Sequence, residues 1–133
     1  LGGLYVLEET KEIFYLNKCY QIGNIFIYLP MRVIAVRTLK EDWIAYPMAK
    51  QALLAWYEEA EEAEWDNPNQ LKVQFRSASI LSNKRVVFNI HGNAYRLIVD
   101  IEYRLRIVFI VWFGTHKKYD KIDAKKISYD KTN

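Results

Sequence analysis

Between residues 66 and 71 the apolar pattern of this chain changes its period, and that change restricts the fold more than any other feature. Before it, Leu53, Trp56, Tyr57 and Ala60 fall at i, i+3, i+4 and i+7, one stripe of an amphipathic helix. Glu58, Glu59, Glu61 and Glu62 occupy the other faces. After it, apolar residues come in short runs separated by turn residues, the pattern of strands. Helices first and strands afterwards predict an α+β domain, with a two-helix segment packed on an antiparallel four-to-five-stranded sheet.

The punctuation fills in that outline. Arg32-Val33-Ile34-Ala35-Val36-Arg37 reads as a short strand, and Thr38-Leu39-Lys40-Glu41 has the spacing of a capping box. Leu39, Trp43 and Tyr46 follow at helical spacing until Pro47 ends or kinks the helix. Asp66-Asn67-Pro68-Asn69 is a stop and loop signal, after which Leu71 to Phe75 is expected to begin a strand. Ser82-Asn83-Lys84 is a polar turn, Arg85 to Ile90 a strand, and His91-Gly92-Asn93 a hairpin loop. Tyr95 to Tyr103 and Arg106 to Phe113 are two further strands. Such close connections imply an antiparallel meander. The apolar run Val108 to Phe113 is expected to be a central strand buried on both faces. His116 to Ile122 is a short C-terminal helix or turn, and residues 123 to 133 a polar tail expected to fray.

Residues 1 to 30 stand apart from this regular pattern, so Met31 is a candidate natural start and residues 31 to 122 the main domain. Ile22 to Tyr28 is expected to add a strand or hairpin, since Gly23-Asn24 argues against a helix there. A single cysteine, Cys19, cannot form an intrachain disulfide, which fits a reducing, cytoplasmic setting. No run approaches the ~20 apolar residues of a membrane span.

Charge is divided along the chain. Residues 31 to 66 carry four bases against eight acids, whereas residues 67 to 133 carry thirteen bases against five acids. An acidic first half and a basic second half predict two surfaces with different partners, although charged side chains also simply solvate exposed faces. One cysteine and two distant histidines offer no zinc spacing, and no phosphate-binding glycine loop is present. Neither a metal nor a cofactor is expected.

Three runs then carry a family resemblance. They are Leu71-Lys72-Val73-Gln74-Phe75-Arg76-Ser77-Ala78-Ser79, Val87-Phe88-Asn89-Ile90-His91-Gly92-Asn93-Ala94-Tyr95-Arg96, and Gly114-Thr115-His116-Lys117-Lys118-Tyr119-Asp120. In this order, behind a start at Met31-Arg32-Val33-Ile34, the chain resembles a HigB-type toxin of the RelE-like group. The resemblance covers about ninety residues. His91 departs from it, and the first thirty residues lie outside it. It implies a compact RelE-like fold and cleavage of messenger RNA on the ribosome. It also implies silencing by a separate helix-turn-helix antitoxin of the HigA type.

The residues within these runs suit such chemistry. Cleaving RNA without a metal requires deprotonation of the 2′-hydroxyl, stabilisation of charge on the phosphate oxygens, and protonation of the departing 5′ oxygen. His116 and Tyr119, three apart on a helical turn, share a face and are expected to be an acid/base pair. Lys72 and Arg96 are expected to stabilise the phosphate, with Arg96 on the solvent side of its strand if Tyr95 points inward. Arg76, Lys84, Arg85, Asn89, Lys117 and Lys118 are candidate RNA contacts. Structural roles compete at each position: His116 as a packing residue, Tyr119 as a core aromatic, the cations as solvated surface. A toxin on the same scaffold, or an inactive relative, that acts by binding without cutting RNA is the alternative, because fold alone does not fix activity.

Overall fold

The computed structural model describes residues 31 to 129, together with three strands among the first thirty residues, β1 (Tyr5–Leu7), β2 (Cys19–Ile22) and β3 (Ile25–Tyr28). These three form an antiparallel sheet in the order β1-β3-β2. The expected hairpin is its β2–β3 pair, in which Ile22 faces Ile25 across Gly23-Asn24.

The main sheet has five strands in the order β4-β8-β7-β6-β5. They are β4 (Arg32–Ile34), β5 (Ser79–Ile80), β6 (Arg85–Ile90), β7 (Tyr95–Glu102) and β8 (Ile107–Thr115). The four strands from β5 to β8 form the expected antiparallel meander. The edge strand β4 joins β8 in parallel, so the sheet is mixed. Parallel pairing needs a crossover, and here the whole helical segment and three strands intervene between the partners.

Helix α1 (Val36–Ala45), a short 3₁₀ helix Pro47–Ala49, α2 (Lys50–Glu62) and α3 (Pro68–Gln74) fill that crossover. Two local readings are corrected here. The capping box at Thr38 does not form: α1 starts earlier, after Ala35 in the left-handed region (φ 66°), and Thr38 lies inside the helix. The strand expected over Leu71 to Phe75 is α3 instead. Asn67 caps it by accepting from the Gln70 N–H, and Pro68 occupies its first turn. The same Asn-Pro pair that stops one element therefore starts the next. Helical spacing buries Leu71 and packs Phe75 against Trp65 and Phe88, while Val73 between them is 77% exposed.

The helices supply Leu39, Leu53, Trp56, Ala60 and Leu71 to the main core. The sheet answers with Val86, Phe88 and Ile90 from β6, Leu97, Val99 and Ile101 from β7, and Val108, Ile110 and Phe113 from β8. Full burial of one such side chain contributes about 1.5–3 kcal/mol before entropy is set against it. The opposite face of the sheet carries a smaller cluster, Val87, Ile98, Val111 and Ala124, with Leu81, Phe109, Trp112, Tyr119, Ile122 and Ile127 around it. β8 thus contributes to both faces, as its apolar run predicted. It does so through a bulge: Ile98 pairs with Trp112 and Val99 with Ile110, leaving Val111 as the extra residue.

The chain after Ile122 is not frayed over its described part. Arg85 donates from Nη1 to the carbonyls of Ala124 (2.9 Å) and Ile127 (2.6 Å), fastening this segment over the second face. Among the described residues no helix is long and apolar enough to cross a membrane.

Candidate active site

The second face of the sheet is crossed by a row of polar residues at each end, set by strand register. Directly opposed residues share a face, and every second residue along a strand returns to it. Arg85 opposes Asp100 at one end, Val87 opposes Ile98 in the middle, and Asn89 opposes Arg96 at the other end. Gly114 of β8 completes the Asn89–Arg96 row.

Helix α4 (His116–Tyr119) begins at that second end. The Thr115 side chain accepts from the Lys118 N–H at 3.2 Å and caps the turn. The His116 N–H donates to the carbonyl of Ala94 at 2.9 Å, which ties the start of α4 to the β6–β7 hairpin loop. His116 and Tyr119 sit on this one turn, as the spacing predicted. The His116 Nε2 lies 3.4 Å from Asp120 Oδ1, and its side chain is 42% exposed. Asp120 can therefore orient the ring while leaving it open to a substrate. The Tyr119 ring lies 6.3 Å from the Trp112 indole, and the Arg96 guanidinium carbon is 5.8 Å from its centroid.

Arg96 differs from its expected setting. It does lie on the opposite face from Tyr95, but it is 9% exposed rather than open to solvent. Tyr119 and the hairpin cover it. Its Nη1 donates to the carbonyls of Asn93 (3.2 Å) and Tyr95 (3.1 Å), and its Nη2 donates to Asn93 Oδ1. These acceptors are neutral, and among the described residues no carboxylate pairs with it. A buried cation without an anion is costly, because desolvation is not offset by a counter-charge. A phosphate at this end would supply the missing charge.

Arg85, a candidate RNA contact, has its guanidinium engaged within the fold. Its Nε and Nη2 grip Asp100 at 2.6 and 2.9 Å, and its Nη1 holds the two carbonyls of the C-terminal segment. Lys84 adjoins it and so stands at the end of the sheet remote from α4. Lys72 lies on α3, where its ammonium donates to the Ala78 carbonyl just before β5. Since β5 runs antiparallel to β6 with Ser79 opposite Val87, Arg76 to Ala78 arrive beside the Asn89 end. Lys117 and Lys118 are exposed on α4. The fold thus gathers Asn89, Arg96, His116, Lys117, Lys118 and Tyr119 at one end, whereas Lys72 and Arg76 stand on α3 and the segment leading from it into β5.

Sequence reasoning gave Asn93 only a turn role, yet it supplies two of the three acceptors that hold Arg96. It missed Gly114 as well. A Cβ there would meet the Trp112 ring at 2.6 Å, so the missing side chain lets the indole lean toward Tyr119. The three-residue interval from Asn93 to Arg96 is the one signal that pointed to the first, and nothing local pointed to the second.

The sequence profile of the HigB toxin family, described as the RelE-like toxic component of a toxin–antitoxin system, matches residues 49 to 122. The chain belongs to this family. It is similar to the mRNA interferase toxin HigB of Escherichia coli strain K12, at 29% identity over 96 residues, covering 71% of this chain and 92% of that protein. The proteins named mRNA interferase HigB in Escherichia coli O157:H7 and Shigella flexneri match with the same identity and coverage. All residues gathered around α4 lie inside the matched span of this HigB-family chain.

Proposed function

We propose that this HigB-family chain is a toxin that cleaves messenger RNA as a metal-independent endoribonuclease, acting on the ribosome in the cytoplasm and silenced by a helix-turn-helix antitoxin of the HigA type. The single observation that carries the reading is Arg96, a buried guanidinium with only neutral acceptors among the described residues, standing beside the turn that bears His116 and Tyr119. The relatives' name, mRNA interferase, gives the substrate class.

In this reading residues 31 to 122 are the toxin unit, and the scissile phosphate seats against Arg96 at the mouth of α4. One member of the His116–Tyr119 pair takes the 2′-hydroxyl proton as that oxygen bonds to phosphorus. The other returns a proton to the 5′ oxygen as its bond to phosphorus breaks. The products are a cyclic 2′,3′-phosphate and a free 5′-hydroxyl. Arg96 stabilises the charge that grows on the non-bridging oxygens, with Lys72 assisting from α3. Asp120 holds the His116 ring in place. Arg76, Asn89, Lys117 and Lys118 guide the strand, their charges giving affinity without sequence preference.

Brief expression of the chain, followed by primer extension on a translated message, tests this. New 5′ ends that fade in both His116→Ala and Tyr119→Phe are the expected outcome. Cuts that persist in both variants would retain the nuclease and remove the pair. Growth arrest by a folded parent without any cuts would instead favour a toxin that acts by binding.

A further inference from the structure

On the other face of the sheet, at the same end, three ring side chains outside the proposed chemistry join the ammonium of Lys118 in a rim of rings and positive charge. Tyr46, between α1 and the 3₁₀ helix, meets the Tyr95 ring edge-on at 5.5 Å. The His91 ring lies 6.3 Å from Tyr95 on its other side. The Lys118 ammonium donates to the Tyr46 hydroxyl at 3.0 Å and sits 5.6 Å from that ring's centroid. Tyr46 and Tyr95 are partly exposed, while His91 and Lys118 are exposed.

We infer that the Tyr46–Tyr95–His91 rim, with Lys118, is a stacking subsite for an unpaired base adjoining the scissile phosphate of single-stranded RNA. The inference rests on the endoribonuclease reading above and assigns a base, rather than a phosphate, to this surface. Single strands are held by cations that follow the backbone and by aromatic rings on which bases stack. At the Asn89–Arg96 end the Tyr119 ring is engaged by Arg96 and Trp112, and the rim supplies further rings. Lys118 joins the two, because it belongs to α4 with His116 and Tyr119 and is bonded to Tyr46.

Core packing accounts for only part of the rim. Tyr46 and Tyr95 each lean on Phe113, at 5.8 and 5.5 Å, so their inner edges belong to the core. His91 has no such role. It is exposed and holds φ at 54°, a conformation that ordinarily selects glycine or asparagine. Its ring is left on the outside of the hairpin, beside Tyr95 and open to a ligand. Tyr46 itself lies outside the family match at 49 to 122, so the family comparison assigns it no part.

The test measures binding of the full chain, silenced by His116→Ala, to two fluorescent probes by anisotropy. One probe is a short single-stranded RNA, and the other is the same ribose-phosphate chain with abasic residues. Tyr46→Leu with His91→Ala is expected to weaken RNA binding about ten-fold, within the range of one stacked base, and to leave abasic binding unchanged. Tyr46→Phe, which keeps the ring, is expected to bind RNA as the parent does. His91→Asn alone removes the ring, keeps a residue suited to the positive φ, and so provides a variant whose fold is not at risk; it should show part of the same base-dependent loss. Equal weakening of both probes, or no weakening of either, would overturn the subsite while leaving the nuclease reading to stand on the cleavage map. A parent that cuts no message and binds neither probe would remove both readings together.

Discussion

Arg85 and Arg96 stand on neighbouring strands of the same sheet face, separated by the Val87–Ile98 pair, and their surroundings are opposite. Arg85 is matched on every side, by both oxygens of Asp100 and by two main-chain carbonyls of the C-terminal segment. Arg96 is at least as deeply covered yet meets only neutral oxygen. The first arrangement is complete, so it serves stability. Among the described residues the second has no anion, which leaves its charge open to the anionic substrate proposed above. Depth of burial alone does not separate a structural arginine from a functional one, whereas the charge of its partners does.

Several substitutions break or sharpen that contrast. The largest effect is expected from His116→Ala at the Arg96 end, a loss of about 10²- to 10⁴-fold in the rate of RNA cleavage, the usual contribution of a positioned acid or base. Its urea unfolding midpoint should match the parent's, and a large shift there would make His116 a packing residue. Next comes the arginine pair itself. Arg85→Ala strands the Asp100 carboxylate and is expected to cost ~3–5 kcal/mol of unfolding free energy. Arg96→Ala strands no carboxylate. It should cost clearly less stability than Arg85→Ala but slow cleavage by about 10²- to 10³-fold. If the two variants behave alike in both assays, the contrast drawn above is wrong.

A smaller effect is expected at Gly114, where an added methyl group must displace the Trp112 ring. Gly114→Ala should cost ~1–3 kcal/mol, as overpacking does, and shift tryptophan fluorescence because the indole moves. Unchanged fluorescence and midpoint would show that the ring yields freely. The mildest test lies in the helical layer, away from either arginine row in sequence. Burial, aided by Glu41, raises the Asp42 carboxyl from 3.8 to about 7, and its Oδ2 is buried without a partner. Between those values the folded chain keeps a proton that the unfolded chain has released, so stability falls as pH rises through that window. Asp42→Asn should flatten this slope and be the more stable protein above neutral pH. Urea midpoints at a series of pH values would show it, and an unchanged slope would place the titrating group elsewhere.

Much of the fold was legible because its signals are local. The stripe Leu53, Trp56, Ala60 packs as its spacing required, and the hairpin at His91-Gly92-Asn93 turns where expected. The segment after Asn67 misled because two periods coexist there. Leu71, Val73 and Phe75 alternate like a strand, but Leu71 and Phe75 are also i and i+4 of a helix. Packing of Phe75 against Trp65 and Phe88 selected the second pattern, and Val73 was left outside. Propensity yields to tertiary context in so short an element.

The candidate site divides along the same line. By itself the sequence determined the α+β class, the family motifs and the placing of His116 and Tyr119 on one helical turn. Tertiary structure alone decided that Arg85 has a carboxylate and that Arg96 has none among the described residues. Asp100 is fifteen residues from Arg85, and only the register of β6 on β7 sets them face to face. A slip of β6 by one residue would turn Arg85 away from Asp100, and a slip of β7 would turn Arg96 to the other face of the sheet. Charge compensation is therefore a property of register, and register is settled by which face of every strand the core requires.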